Sequence, residues 1–570
     1  MSELTCFPLA VGHGQEGVCL HLQMGKRGIL LDCGLSSLAA LEAVRPMVES
    51  ADLLFCSHAH RDHAQGLWAF SQRFPQVPIY ASEVTTQLLP LNWINQGQTL
   101  PPQLGHALPW FTPLELTGDL TIPVWPAGHL PGAASALFTY QTPQRAYRVF
   151  YAGDFFMSNS RLVDGLPLEA LRGLKPDVLI LEGSAGTARH PHRRQQENQL
   201  AATLYQLWQQ GRSLLLPVPT LGLGQELVVL LRSHHQFTGQ DITLWVDSRV
   251  AAGCDAYLDL LPYLPSSIQN FARHQSLFWD ERIQPRMRRL PNPAQPVTDH
   301  PCIVIGDQAM DLSGYCRSSA QPWSIMLPTD LASQLAQGML GEGETSPTSN
   351  FDWLQGLGPE LATGRVDLHT YTLTTHSDRV GTTQLIHNLR PQHVVLIHGQ
   401  PNHLADLAGL EELQTRYQLH LPTAGKPLDF ALGDRFVQPA APDLVFEAEI
   451  GEEEEGVRLQ LPDSLTRDPR WRRLTDSGLV QVRWQGDELV LKGLSQRDVL
   501  RWLGLGDRSE PVATCYHCRH LKGGRCCSAA SPLYGMVVSD TAFCDAFRSS
   551  NQGSEGNSAQ DPMPPNPTAD

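Results

Sequence analysis

Metal-ligand side chains are concentrated between residues 56 and 63. His58, His60, Asp62 and His63 follow directly on the apolar run Leu53–Phe55. This run predicts a buried strand, and a strand that ends in a His/Asp-rich loop can hold metal ligands rigidly. The His-x-His spacing predicts two imidazoles projecting from an extended turn, after which Asp62 and His63 turn toward a second metal. The alternative is a solvated, histidine-rich loop without a metal.

Further ligand-type residues recur along the chain, each at or just after the end of an apolar strand. His129 follows the run 121–125 and Asp154 follows 148–151, both in loops that contain glycine. A lone histidine or aspartate is more often structural, but their order after the first motif favours metal binding. Asp154 is the natural bridging ligand, because one carboxylate can bind two cations. Three more side chains of this kind follow later strands, and all are expected on one rim of a sandwich: Glu182, His376 and His398.

The elements that must position these residues change in character along the chain. Short strands joined by turns occupy 1–185, whereas strands alternating with helices over 186–355 predict an inserted parallel α/β domain. Residues 356–435 are interpreted as the return of the chain to the first domain. The remainder is divided into a linker or small accessory domain (436–510), a Cys-rich metal module (511–548) and a disordered tail (549–570).

Composition excludes some classes of function. The chain has 570 residues, of which 42% are hydrophobic and 18% charged, as expected of a globular protein with several domains. Its net charge of −16 creates no general attraction for nucleic acid, so any such contact needs a local basic groove or metals. No apolar run reaches the roughly 18 residues of a membrane helix, and no signal peptide is evident. A cytoplasmic protein that does not bind membranes is therefore predicted.

The order of the ligands around an inserted domain resembles the β-CASP branch of the metallo-β-lactamase superfamily. Within that branch the segment 127–133, Ala-Gly-His-Leu-Pro-Gly-Ala, is similar to the endonucleases of the cleavage and polyadenylation machinery and their prokaryotic relatives. The resemblance covers about residues 10–435. It implies an α/β fold, namely a metallo-β-lactamase αββα sandwich with an inserted parallel α/β β-CASP domain, to which the sequence adds the small C-terminal Cys-rich module.

The resemblance also implies a role for each ligand-type residue. His58, His60 and His129 would hold one metal, Asp62, His63 and His398 the other, and Asp154 would bridge them. The metals are expected to be two Zn²⁺, with Mn²⁺ as the alternative, and Asp32 is expected to support the site from behind. A metal-activated hydroxide would attack an RNA phosphodiester, with His376 as general acid oriented by Glu182. Asp62 is also predicted to be catalytic.

Four motifs depart from the family pattern. Gly183-Ser184-Ala185 replaces the usual Ser-Thr-Tyr after Glu182, and Leu223 replaces an arginine. Ala309-Met310 replaces a Gly-Met pair at the end of the insertion, and Gln400 replaces a glutamate. The leading prediction is a metal-dependent ribonuclease or nucleic-acid phosphodiesterase acting on single-stranded RNA. The alternatives are a small-molecule ester or thioester hydrolase on the same metals, and a catalytically silent RNA-processing scaffold. The cleavage mode and the oligomeric state, a homodimer included, stay open.

Two further features lie outside this ligand set. Five of the 12 cysteines crowd between residues 515 and 544, where a structural Zn²⁺ is predicted, with an iron–sulfur cluster as the alternative. The predicted ligands are Cys515, Cys518, Cys526 and Cys544. Arginines in the predicted insertion suggest a track for phosphates, with a solvated surface as the alternative: Arg189, Arg193 and Arg194, and then Arg282, Arg286, Arg288 and Arg289.

Overall fold

The structure is a computed structural model that describes residues 4–13, 17–94, 101–290, 301–317, 321–329 and 352–432, with short stretches beyond residue 432. The chain divides into two compact units, Met1–Pro442 and Asp443–Asp570. No helix within the described ranges combines the length and the apolar character needed to cross a membrane.

The strands and helices of the first unit are short. Its strands are β1 Leu4–Val11, β2 Val18–Met24, β3 Arg27–Leu31, β4 Leu53–Phe55, β5 Ile79–Ser82, β6 His106–Leu108, β7 Leu114–Thr117, β8 Leu120–Ile122, β9 Val124–Pro126, β10 Ala134–Gln141, β11 Ala146–Tyr151, β12 Val178–Glu182, β13 Ser213–Val218, β14 Thr243–Val246, β15 Arg286–Arg289, β16 Ile303–Asp307, β17 Trp323–Pro328, β18 Val366–Tyr371, β19 His393–Ile397, β20 Gln418–His420 and β21 Leu428–Asp429. Its α-helices are Ala39–Ala43, Arg45–Glu49, Arg61–Ala64, Leu67–Arg73, Glu83–Leu88, Leu168–Leu171, Arg193–Gln209, Leu223–Ser233, Ser248–Asp259, Ser266–His274, Ser313–Arg317, Asp352–Gln355, Gly358–Ala362, Arg379–Leu389, Pro401–Ala408 and Glu411–Gln414, and 3₁₀ turns span Leu89–Trp93 and Leu261–Tyr263.

Two mixed sheets stack face to face. One has the order β21-β1-β2-β3-β4-β5-β6, and the other has the order β20-β19-β12-β11-β10-β8-β7 with β9 paired to β10. Side chains alternate across each sheet. Val178 and Ile180 of β12 enter the core between the sheets, whereas Leu179 and Leu181 enter a second core that includes helical residues. The predicted αββα sandwich is therefore confirmed, with one buried core between the sheets and helices covering their outer faces.

A third sheet is built from residues within the predicted insertion and from one strand beyond it. Its order is β15-β14-β16-β13-β17-β18, and every neighbouring pair is parallel. Parallel sheets need helices on both faces, and the fully buried strands β13 and β16 fit that requirement. The inserted parallel α/β architecture is confirmed.

The boundary predicted at residue 355 needs correction. It placed Val366–Tyr371 in the returning segment, but this strand pairs in parallel with β17 and forms an edge of the third sheet. The reason is physical: only the first and last residues of β18 are buried, so its side chains carry no pattern that identifies the sheet it joins.

The second unit contains three short antiparallel hairpins among its described residues. They pair β22 Glu449–Glu453 with β23 Gly456–Gln460, β24 Val480–Gln485 with β25 Glu488–Gly493, and β26 Leu521–Lys522 with β27 Arg525–Cys526. Cys518 is half-buried and Cys526 is buried, whereas Cys515 and Cys544 lie outside the described residues, as does the tail 549–570. The metal predicted for this module stays a prediction.

Candidate metal centre

The first ligand loop begins where β4 ends at Phe55. His60 is the last extended residue, with φ −66° and ψ 150°, and the one-turn helix Arg61–Ala64 follows it. This change of direction separates His58 and His60 from Asp62 and His63. Gly34 packs directly against the turn: a Cβ at this position would lie 1.6 Å from the carbonyl oxygen of Asp62, so only glycine fits.

One group of ligand atoms combines three histidines with an aspartate. Atoms of His58, His60, His129 and Asp154 all lie within 4.8 Å of one another. The Nε2 atoms of His58 and His129 lie 3.6 and 3.8 Å from Oδ2 of Asp154. The structure thus brings together residues from the ends of β4, β9 and β11, which are separated by up to 96 positions between His58 and Asp154.

A second group lies on the other side of Asp154. Asp62, His63 and His398 also place one ligand atom each within 4.8 Å of one another. Nε2 of His398 lies 3.0 Å from Oδ2 of Asp62, and Nε2 of His63 lies 3.3 Å from Oδ2 of Asp154. The other oxygen of Asp154, Oδ1, lies 3.7 Å from Nδ1 of His398. Asp154 is therefore placed between the two groups, as a bridging carboxylate requires.

The hydrogen bonds around the first group leave lone pairs that face each other. His129 donates its Nδ1–H to the carbonyl of Thr375 at 2.8 Å, and His60 donates its Nε2–H to the carbonyl of Leu221 at 3.3 Å. Because a carbonyl oxygen only accepts, these bonds set the tautomers. The remaining nitrogens, Nε2 of His129 and Nδ1 of His60, then face each other at 2.9 Å with no proton between them. A cation between them would resolve this contact.

Other buried polar atoms also lack partners. Among the described residues, Nε2 of His58, Nε2 of His63 and Oδ1 of Asp154 are buried without a hydrogen bond. Buried polar atoms are almost always paired, so three unpaired atoms at one point indicate that this site binds a cation. Imidazole and carboxylate are the donors that Zn²⁺ and Mn²⁺ accept. The residues present therefore fit a divalent-metal site.

A buried carboxylate supports His63 from behind. Asp32, with no exposed surface, accepts a hydrogen bond from Nδ1 of His63 at 2.7 Å through Oδ2. The same oxygen accepts from Oγ of Ser57 at 2.8 Å and from the hydroxyl of Tyr151 at 2.5 Å. Such outer partners fix the orientation and tautomer of a metal-binding histidine. The sequence suggested Asp32 but gave no signal for Ser57 or Tyr151. Ser57 reaches Asp32 because β3 and β4 pair within one sheet, and Tyr151 reaches it from β11 of the facing sheet.

The electrostatics of the first group, His58, His60, His129 and Asp154, favour metal binding at neutral pH. Burial lowers the pKa of His58 well below its usual value, and the neighbouring His63 lowers it further. Burial likewise lowers the pKa of His60 and of His129. Burial alone would raise the pKa of Asp154, but the surrounding imidazoles hold it well below its usual range. Three neutral imidazoles beside an ionised carboxylate are the protonation states that metal binding needs.

A carboxylate–histidine pair lies beside the ligand cluster. Nδ1 of His376 lies 2.9 and 2.8 Å from the two carboxylate oxygens of Glu182. Glu182 is 2% exposed and also accepts a hydrogen bond from the backbone N–H of Phe155 at 2.9 Å, whereas the side chain of His376 is 25% exposed. The His376 ring lies 4.6 Å from the ring of His129, tilted by 47°. This pair can hold a proton at the open edge of the site.

Ser184 is a neighbour of the candidate site that the sequence did not single out. Its Oγ donates to Oε2 of Glu182 and lies 2.9 Å from Nδ1 of His398. It therefore contacts both the proton-holding pair and a predicted metal ligand. Its position two residues after Glu182, in a segment already recognised as a motif, was the only available signal.

The arginines predicted as a phosphate track are largely engaged elsewhere. Arg193 is 8% exposed and donates Nη1–H to the carbonyl of Thr374 at 2.5 Å, while its guanidinium lies 3.4 Å from both Glu197 and Glu226. The prediction is wrong for Arg193, because a buried and paired guanidinium cannot reach a phosphate. Arg189 and Arg194 are exposed, and for them the track stays a prediction.

The second arginine cluster is paired throughout with acidic residues. The pairs are Arg282 with Asp280, Arg286 with Asp241, Arg288 with Glu281 and Arg289 with Asp255. The acidic partners are as many as 45 positions away in sequence. Counting the basic residues of one segment therefore overstated the positive charge that a phosphate could contact.

Comparisons with known proteins agree with this geometry. Residues 27–215 match the model of the beta-lactamase superfamily domain, and residues 365–421 match that of the Zn-dependent metallo-hydrolase RNA specificity domain. The chain is 45% identical over 560 residues to an uncharacterized protein of Synechocystis sp., covering 96% of this chain and 97% of that one.

More distant similarities extend to a characterised relative and a solved structure. Cleavage and polyadenylation specificity factor 73 of Drosophila melanogaster is 26% identical over 439 residues, covering 70% of this chain and 60% of that protein. A crystal structure of a protein of unknown function from Enterococcus faecalis V583 is similar with a TM-score of 0.46 at 14% identity, covering 75% of this chain and all of that one.

Proposed function

This chain belongs to the metallo-β-lactamase superfamily, in its β-CASP branch of RNA-processing nucleases, and we propose that it hydrolyses phosphodiester bonds of single-stranded RNA with two bound metals. The observation that carries the proposal is the Glu182–His376 pair, held at 2.8 Å beside the ligand cluster. Many hydrolases have a metal site of this kind. A buried carboxylate that orients a partly exposed histidine adds a proton donor, which a reaction with a poor leaving group needs.

Each residue of the cluster has a role in this proposal. One cation would be held by His58, His60 and His129. The other would be held by Asp62, His63 and His398, and Asp154 would bind both. Bound divalent cations supply a nucleophile at neutral pH and neutralise the charge of a phosphodiester. Asp62 acts through its position: its Oδ2 contacts Nε2 of His398 and therefore aligns that ring with the centre of the site.

The protein's own proton chemistry centres on His376. The Glu182 carboxylate stabilises the protonated imidazole and orients it through Nδ1–H, and in this proposal the opposite nitrogen, Nε2, carries the proton that goes to the substrate. As the phosphodiester breaks, His376 passes that proton to the leaving 3′ oxygen. Proton transfer of this kind typically contributes about 10²–10⁴-fold to the rate.

The test uses the full chain on labelled single-stranded RNA and on DNA of the same sequence. Cleavage of RNA is expected, with loss of activity after chelation and recovery on addition of Zn²⁺ or Mn²⁺. Glu182→Gln should lower the rate by about 10²–10⁴-fold without changing metal content. Glu169→Gln, at an exposed carboxylate within helix Leu168–Leu171, is the matched control and should leave the rate unchanged. Absence of RNA cleavage by the metal-loaded protein would refute the proposal.

A second candidate is a hydrolase of small esters or thioesters on the same metals. It is favoured by the pairing of the four arginines between residues 282 and 289 with acids, which leaves less positive charge for a polyanion. Turnover of a thioester that single-stranded RNA does not inhibit would select this candidate over the ribonuclease.

A further inference from the structure

The loop 374–378 contacts the candidate site at two points. The carbonyl of Thr375 accepts the Nδ1–H of His129 at 2.8 Å, and His376 pairs with Glu182 at 2.8 Å. The position of this one loop therefore sets the tautomer of a predicted metal ligand and the place of the proton donor. The residues that hold the loop therefore determine where His376 lies.

Helix Arg193–Gln209 of the inserted domain holds the loop at Thr374. Oε1 of Gln196 accepts the backbone N–H of Thr374 at 3.0 Å, and Nη1 of Arg193 donates to its carbonyl at 2.5 Å. Oγ1 of Thr374 in turn accepts the backbone N–H of His376 at 3.1 Å. A shift of Arg193 is thus passed through two hydrogen bonds to the backbone of His376.

Arg193 is itself fixed by two buried acids, one of which also contacts the segment that follows Asp154. It lies 3.4 Å from Glu197 and from Glu226. Glu226 also accepts the backbone N–H groups of Arg161 and Leu162 at 3.0 and 2.8 Å. These two residues belong to the segment that follows Asp154, so one charge network joins the bridging carboxylate's loop to the proton donor's loop.

We propose that Arg193 is a positioning residue, which locks loop 374–378 from the inserted domain and thereby aligns His376 for proton transfer to the leaving oxygen. The proposal rests on the proposed phosphodiesterase activity. A guanidinium suits this role because its planar fork contacts a carbonyl and two carboxylates at once, whereas a lysine ammonium is a single point charge. The charge of residue 193 is then necessary for folding, and its shape is necessary for alignment.

The central test is Arg193→Lys, which keeps the buried positive charge and removes the fork. Metal content and KM should stay unchanged, and kcat on RNA should fall by up to about 100-fold, the cost typical of misplacing a reacting group by about 1 Å. On bis-p-nitrophenyl phosphate, whose activated leaving group needs no proton, the loss should be at most about threefold. Equal losses on both substrates would refute the positioning role.

A matched control separates alignment from stability. Arg232 is another buried arginine of the insertion, 4% exposed, and it donates to the carbonyls of Leu277 and Asp280, which are not part of the candidate site. Arg232→Lys should lower the melting temperature comparably and leave the ratio of RNA to activated-diester turnover unchanged. If it changes that ratio as much as Arg193→Lys does, the effect is not specific to the loop and the proposal fails.

Two further measurements keep the proposal testable whatever the activity. Gln196→Met removes the second side-chain hydrogen bond to Thr374 and leaves the buried charges in place. It should change the ratio of RNA to activated-diester turnover even if Arg193→Lys misfolds. Hydrogen exchange in the metal-loaded protein should rise at residues 374–377 in both variants and not in Arg232→Lys. If wild-type protein cleaves neither substrate, the proposed function is wrong, and unchanged exchange at 374–377 separately refutes the hold of Arg193 on the loop.

Discussion

Asp32→Asn probes how strongly the network beneath the site holds metal. Oδ2 of Asp32 accepts three hydrogen bonds, from Ser57 Oγ, His63 Nδ1 and the hydroxyl of Tyr151, at 2.8, 2.7 and 2.5 Å. Oδ1 accepts a fourth, from the backbone N–H of Ser57 at 2.6 Å. All four neighbours act as donors, so the environment has no acceptor for an amide NH₂. The backbone of Asp32 has φ +57°, which asparagine tolerates well, so backbone strain does not confuse the result.

The expected cost follows from these contacts. In its better orientation the amide oxygen replaces Oδ2, and the amide nitrogen then faces the N–H of Ser57. Leaving that buried donor unpaired should lower the free energy of unfolding by about 1–3 kcal/mol. Loss of the carboxylate behind His63 should weaken metal binding by about 10–100-fold, which corresponds to about 1.4–2.7 kcal/mol.

Metal affinity is measured by competition with a chelator of known strength, and stability by urea unfolding of the metal-free protein. Asp52→Asn is the control, because Asp52 pairs with Arg27 at 2.7 Å and has no contact with a predicted ligand. The control should lose some stability and keep its metal affinity. Equal metal affinity in Asp32→Asn and Asp52→Asn would refute the inference that the buried carboxylate tunes the site.

Three other changes test separate parts of the structure. His376→Ala should retain metal and lose about 10²–10⁴-fold in rate, whereas His398→Ala should lose both; metal analysis showing equal content in the two variants would contradict their assigned roles. Gly34→Ala should displace the Asp62 carbonyl, which would lie 1.6 Å from the new Cβ, so an unchanged melting temperature and metal content would count against the tight turn. Burial lowers the pKa of His21 from 6.5 to about 4, so as the pH falls the unfolded chain binds its proton first. The stability from this group is therefore complete above pH 6.5 and declines toward pH 4, by about 2 kcal/mol between pH 7 and 5; urea unfolding of His21→Phe at both pH values should show a smaller pH dependence, and an equal one would refute the assignment.

In the third sheet, sequence patterns predict the buried central strands but not the edge strand. Runs such as Leu214–Leu216 identify buried parallel strands, because both faces must be covered and the apolar character is continuous. The edge strand Val366–Tyr371 buries only its first and last residues and was assigned to the wrong sheet. An edge strand is held mainly by backbone hydrogen bonds, which leave no mark on residue type.

The candidate site divides in the same way. The sequence by itself determined which candidate ligand side chains are present and the order in which strand ends deliver them, since the loop after β4 and the residues His129, Asp154 and His398 follow local patterns. Only the tertiary structure decided the tautomers of His60 and His129, because the carbonyls that fix them lie 161 and 246 positions away. The tertiary structure also decided that Arg193 is buried. The sequence shows that a helix carries this arginine, but only the fold determines whether its helix face is exposed to solvent or packed against two buried carboxylates.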